Sequence, residues 1–259
     1  MTMATDVMND HASVDPDEVA RYAALAETWW DRTGPFWPLH RLNELRVGYI
    51  RDTVCKIWQR DPATAQPLTE LRTLDIGCGG GILSEAMAIL GAEVHGIDVV
   101  DRNIAIARHH ADQTGLSIRY QTITAEALAQ QGLQYDVVLN MEVVEHVTDL
   151  GDFLQTCAKL IKPGGCMVVA TLNRTLKSLA LAKIGAEYVL RWLPPGTHDW
   201  NRFVTPAELQ HHLEGAGLGV TRMQGVEFDP LRWEWRLSSD TDVNYMVVTE
   251  ALRIDDAGA

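Results

Sequence analysis

Apolar residues along this chain alternate between short unbroken runs and stripes at helical spacing. From residue 70 onward the runs predict strands at 71–76, 92–98, 118–123, 135–140 and 166–171. Helical stripes at 82–90, 102–114, 125–131 and 150–161 fall after the first four. Lys162-Pro163-Gly164-Gly165 reads as a turn into the fifth strand. Thr205 and Glu208 stand at capping-box spacing, Pro206 at a first helical position and Gly217 past the end, which predicts a helix over 205–215. Strands at 219–228 and 243–250 follow, with 229–242 as a hairpin-type connection, so one of them should run antiparallel. The pattern predicts a doubly wound α/β fold: a mostly parallel, seven-stranded sheet whose last strand pair is antiparallel.

Upstream the pattern changes. Residues 1–14 are polar and read as a disordered tail. Asp15 or Asp17 can cap a helix reaching about Trp30, with Val19, Tyr22, Ala23, Ala26 and Trp29 on one stripe. Gly34, Pro35 and Pro38 break the chain, and a second helix is predicted over 40–59 through Leu42, Leu45, Tyr49, Ile50 and Ile57. The expected organisation is a tail and helical cover over 1–69, then one domain over 70–259 carrying an inserted helical segment at 174–200.

Composition narrows the partners. Of the 259 residues 46% are hydrophobic, enough for a large core, and the net charge of −13 argues against nucleic acid, whose phosphates need clustered Lys and Arg. Cys55, Cys78, Cys157 and Cys166 lack metal or redox spacing and predict reduced thiols in a cytoplasmic setting. Neither a leader-like apolar segment nor a run near the roughly 20 residues of a membrane span is visible.

The chemistry gathers around Thr73-Leu-Asp-Ile-Gly-Cys-Gly-Gly-Gly81. Strand, glycine turn and helix bring backbone N–H groups close to a ligand. A dinucleotide fingerprint needs a third glycine where this chain has Ile82, and Asp75 would repel a phosphate. Asp75 suits an ammonium group, or holds the loop itself, and Gly77 and Gly79 permit close approach. Asp98, ending the second strand, is placed to bind both hydroxyls of a ribose. Met141, after the fourth strand, can lie against an adenine or a sulfonium. These needs are those of S-adenosylmethionine.

Asp75–Gly81, Asp98, the Lys162–Gly165 turn and the terminal antiparallel strand resemble a class I S-adenosylmethionine-dependent methyltransferase. A narrower resemblance covers nearly the whole chain. Trp29-Trp30-Asp31, Pro38-Leu39-His40-Arg41, Leu45-Arg46-x-Gly48-Tyr49-Ile50, Gly185-Ala186-Glu187-Tyr188, Gly196-Thr197-His198-Asp199 and Asp242-Val243-Asn244-Tyr245-Met246 are similar to UbiG-type ubiquinone biosynthesis O-methyltransferases. The resemblance implies that Arg46, Gly77, Asp98 and Met141 bind S-adenosylmethionine, Arg46 through the methionyl carboxylate. It implies both O-methylations of the pathway, on 2-polyprenyl-6-hydroxyphenol and 3-demethylubiquinol, with other enzymes of that pathway as neighbours.

A phenol with a pKa of about 10 is only about 0.1% ionised at pH 7, a deficit of about 4 kcal/mol. A general base or a divalent cation can make up that deficit. Glu142, Glu145 and His146 follow an i, i+3, i+4 spacing. They accommodate Mg2+ or another divalent ion, the reading that the resemblance implies, or His146 as a base without metal, or a scaffold alone. His198 beside Asp199 is a second base candidate, read first as a turn-stabilising pair. Over 174–193, Lys177, Lys183, Glu187 and Arg191 share one arc opposite Leu179, Leu181, Tyr188, Leu190 and Trp192. That suits either an interfacial helix on an anionic bilayer, hence peripheral attachment at the inner face of the membrane, or a lid over the substrate mouth.

Overall fold

The computed structural model describes residues 15–180, 200–229 and 231–251. The first strand, β1 (Arg72–Ile76), enters a glycine turn and α3 (Ile82–Ile89), and the chain then alternates through β2 (Glu93–Asp98), α4 (Asp101–Thr114), β3 (Arg119–Thr122), α5 (Ala125–Ala129), β4 (Tyr135–Met141), α6 (Leu150–Lys159) and β5 (Ile161–Leu172). A single turn, α7 (Leu176–Ser178), precedes α8 (Pro206–Gly215), and β6 (Leu218–Asp229), β7 (Glu234–Ser238) and β8 (Asn244–Ala251) complete the sheet. Its strand order is β3-β2-β1-β4-β5-β8-β6-β7. The first five strands pair in parallel, whereas β8 is antiparallel to both β5 and β6. Chain order reverses between β1 and β4, and in such sheets ligands bind beyond the strand ends at that point.

Eight strands stand where seven are expected. The added one, β7, pairs antiparallel with β6 inside what reads as a plain connection. Its signal is visible in hindsight: Leu231, Trp233, Trp235 and Leu237 alternate with Arg232, Glu234 and Arg236, the period of a strand. The Lys162–Gly165 segment lies within β5 rather than ahead of it, and the pairing with β4 slips register there while Gly164 takes φ 75.

Two helices, α1 (Pro16–Leu25) and α2 (Trp37–Ile57), precede the sheet. The first is shorter than its apolar stripe, giving way to a 3-10 turn at Ala26–Thr28. The second starts three residues earlier than expected, because Pro38 sits in the first turn, where no N–H is required of it. Ile50 and Val54 of α2 pack with Leu83 and Met87 of α3 on one face of the sheet, against Val137, Leu139 and Val168. Helices α6 and α8 cover the other face through Phe153, Leu154, Leu209 and Leu213. The tail over 1–14, most of the inserted segment (181–199, with His198) and residues 252–259 lie outside the described residues.

The capping box of α8 is formed in full: Thr205 Oγ1 accepts from the Glu208 N–H at 3.3 Å and Glu208 Oε2 accepts from the Thr205 N–H at 2.9 Å. Thr205→Ala should lower the unfolding free energy by about 1 kcal/mol. A urea midpoint shifted down with an unchanged slope is the expected reading.

Candidate active site

The turn after β1 is shaped by glycine and closed by an aromatic cover. Gly77 and Gly79 have φ values of 67 and 54, in the left-handed region, and a Cβ on Gly77 would meet Val143 Cγ2 at 2.6 Å. A Cβ on Gly79 or Gly80 would drive into the Trp29 ring at 2.5 Å or 2.4 Å. Trp29 stacks on Phe36 with centroids 3.8 Å apart, and the Trp30 indole N–H donates to the Gly80 carbonyl at 2.8 Å. The cover therefore touches the glycine backbone directly.

Asp98 is the acceptor at the centre. Its Oδ2 accepts from the Gly79 N–H at 2.9 Å, and its Oδ1 from the Val100 N–H at 2.8 Å and, at 3.4 Å, from Asn103 Nδ2. The Trp29 indole N–H in turn donates to Asn103 Oδ1 at 2.8 Å. A carboxylate offers about four lone-pair sites. Three donors leave one for a ligand hydroxyl. Burial raises the pKa of Asp98, and the backbone donors oppose that rise. Asp75 is also buried and accepts from Ser84 Oγ at 2.6 Å. Burial carries its pKa up to about 7, with a smaller push from Asp98.

The facing wall starts where β4 ends, at half-buried Met141. Glu142 follows at φ 57, an uncommon conformation for this residue type, and its N–H donates to the Ala170 carbonyl at 2.9 Å. Its carboxylate forms an ion pair with the buried guanidinium of Arg46 on α2. Glu145 Oε2 accepts from Thr171 Oγ1 at 2.8 Å, and Oε1 is buried without a hydrogen-bond partner among the described residues. Burial raises the Glu145 pKa to about 8, with Glu142 adding and His146 opposing. The His146 ring is half-buried, with Nε2 3.4 Å from the Tyr22 hydroxyl of α1 and the two rings edge to face.

One cavity of about 880 Å³ brings these groups together. Arg46, Asp75, Gly77, Gly79, Asp98, Met141, Glu142, Glu145 and His146 all line it. Its size suits a nucleoside and an acceptor together. Residues that sequence reasoning missed line it too: Asn103, at the start of α4, and Phe228, Trp233 and Trp235 of the last hairpin. Asn103 carries no local motif, since it joins Asp98, five residues before it, to Trp29, 74 positions away.

The cavity fits S-adenosylmethionine by its donor set. Asp98 has acceptor capacity left, the glycine turn leaves no room for side chains, Arg46 has N–H donors beyond the one that Glu142 takes, and buried Asp75 adds a carboxyl group. A single divalent ion fits less well. Glu142 is engaged by Arg46 and Glu145 by Thr171, and among the described residues no group of three or more His, Cys, Asp or Glu is arranged to hold a metal.

A family model described as a methyltransferase domain matches residues 42–222. The ubiquinone biosynthesis O-methyltransferase of Sinorhizobium fredii (strain NBRC 101917 / NGR234) is 55% identical over 238 residues, 92% of this chain and 96% of that protein. The protein of the same name from Rhodopseudomonas palustris (strain HaA2) is also 55% identical over 238 residues, covering 92% and 94%. Among solved structures, the plantazolicin methyltransferase BpumL shares the fold with a TM-score of 0.62 at 15% identity, over 92% of this chain and 97% of that one. Magnesium protoporphyrin IX methyltransferase from Synechocystis PCC 6803, with bound SAH, gives 0.56 at 20% identity, over 91% and 99%.

Trp29→Phe keeps the ring over the glycine turn but removes the donor to Asn103. Calorimetry with S-adenosylhomocysteine should show affinity weakened about five- to tenfold, the worth of one buried hydrogen bond. Asp75 generates a pH signature. Its raised pKa means that the folded ligand-free protein holds a proton that the unfolded chain has released between pH about 4 and about 7, so the wild type loses stability as pH rises through that window. Asp75→Asn lacks this loss. Urea midpoints should show the variant gaining on the wild type between pH 5 and pH 8, by about 2.5 kcal/mol.

Proposed function

The chain belongs to the ubiquinone biosynthesis O-methyltransferases, which makes it an S-adenosylmethionine-dependent methyltransferase, and on that premise we propose how its site works and on what. The acceptors are the phenolic hydroxyls of 2-polyprenyl-6-hydroxyphenol and 3-demethylubiquinol. One observation carries the reading: a single cavity is lined both by Asp98 and the glycine turn and by His146.

Bound S-adenosylmethionine supplies a methyl group on a sulfonium, which passes to oxygen in one displacement and leaves a neutral thioether. The chain's own residues bind, orient and move the proton. Asp98 accepts from a ribose hydroxyl, with its carboxylate already aimed by the Gly79 and Val100 N–H groups. Arg46 takes the methionyl carboxylate and Asp75 the ammonium group. Met141 lies at the strand end beside the reacting centre. His146 Nε2 takes the phenolic proton as the O–CH3 bond forms. The Tyr22 ring, edge-on to His146, helps to exclude water from that transfer.

We place the reaction at the inner face of a bilayer, where a polyprenyl phenol resides. The amphipathic pattern over 174–193 supports this, and no helix among the described residues is long and apolar enough to cross a membrane. Attachment is then peripheral.

The decisive assay supplies labelled S-adenosylmethionine with a prenylated catechol in liposomes. The wild type should transfer label to the ring oxygen, and His146→Ala should lower kcat by at least about 100-fold with S-adenosylhomocysteine affinity retained. Undiminished turnover by that variant would overturn the role of His146. No label on any phenol would overturn the reading.

A further inference from the structure

The β6–β7 hairpin has two unlike faces. Val226 opposes Leu237 and Phe228 opposes Trp235, whereas Glu227 opposes Arg236 and Asp229 opposes Glu234. Opposed pairs share a face, so one side of the hairpin is aliphatic and aromatic and the other is charged. The charged side closes on itself through Arg236 and Glu227 at 3.1 Å. β7 packs against α2, and Val226, Phe228 and Trp235 line the cavity that also holds His146 and Asp98.

The turn of this hairpin carries a second unusual feature. Trp233 has φ 58, an outlier for so bulky a side chain, and is held there by its N–H donating to the Asp229 carbonyl at 2.8 Å. Strain of this kind persists where the surroundings demand it, commonly at functional positions. Here it sets the Trp233 ring parallel to Trp37, in the first turn of α2, with centroids 6.1 Å apart, and edge-on to Phe228 at 5.3 Å. Trp233 lines the same cavity and is 48% exposed. Trp235, Phe228, Trp233 and Trp37 thus form a wall, a run of neighbouring rings that ends at the protein surface, and Glu227 and Arg236, paired with each other, line the cavity beside it.

We propose that this wall is the subsite for the hydrocarbon tail of the phenol, a linear polyisoprenoid. The proposal rests on the function given above and adds where the tail goes. The chemistry matches at each point. An isoprenoid presents methyl groups and alkene carbons and no hydrogen-bonding group, and the wall offers indole and phenyl surface, with the neighbouring charges of Glu227 and Arg236 neutralised against each other. A flexible chain needs a rigid partner to limit the entropy lost on binding, and stacked rings with few rotatable bonds provide one. Continuity with the cavity supplies direction: a ring held at His146 leads its tail along Phe228 and Trp235 towards Trp233 and Trp37.

Equilibrium binding tests this apart from turnover. Catechols bearing no tail, one isoprene unit or two are titrated into the protein saturated with S-adenosylhomocysteine, without detergent. The wild type should bind the two-unit catechol at least about tenfold more tightly than the tail-less one. Trp233→Ala should bring that ratio close to one, and Trp233→Phe should restore most of it. Heat released on binding S-adenosylhomocysteine verifies that each variant is folded. A wild-type ratio near one, or a ratio unchanged in Trp233→Ala, overturns the tail subsite. Absence of methyl transfer despite a tail-dependent ratio overturns the function and leaves the subsite standing.

Discussion

The carboxylate of Asp98 is the constraint around which the site is organised. It lies at the end of β2, yet it holds the glycine turn after β1 through the Gly79 N–H and the entry to α4 through Val100 and Asn103. Burial alone would push it towards neutrality, and the donors surrounding it work against that. The network reaches the N-terminal cover through the Trp29 indole N–H on Asn103. Ligand groove and cover are thus one hydrogen-bonded unit, and the cover cannot shift without being felt at the carboxylate that orders the groove.

The other wall settles an electrostatic difficulty. Two carboxylates stand on it, Glu142 and Glu145. Arg46 pairs with Glu142, and burial pushes the Glu145 carboxyl towards its neutral form, so the negative charge of this wall is partly offset. The left-handed backbone at Glu142 turns the chain sharply at the end of β4. It carries the segment from Val143 to His146 along the rim, with the His146 N–H closing on the Val143 carbonyl at 2.9 Å.

Much of this was legible in the chain because the physics is local. The strand-to-helix passage through Gly77–Gly81, the end of the second strand at Asp98 and the Thr205–Glu208 cap each depend on residues near one another in sequence, and the structure has these elements where the pattern puts them. What escaped depends on distant partners. Pro38 reads as a breaker until it is seen in the first turn of α2. Asn103 is an ordinary helix residue until Trp29, 74 positions away, donates to it. The triad Glu142, Glu145 and His146 shares a spacing, but Arg46 and Thr171 draw its carboxylates to different partners. The strand at Glu234–Ser238 was written in the alternation of Leu231 to Leu237, hidden by the assumption that a link between strands carries none.

The sheet order has a consequence for how the molecule is made. Among the described residues β8 is the latest strand, yet it lies between β5 and β6, and β7 hangs from β6. During synthesis the parallel half, from β3 to β5, can assemble while the slot beside β5 stays empty. A nascent chain halted before Asn244 would present that vacant edge to its neighbours and would leave the β6–β7 hairpin without its anchor.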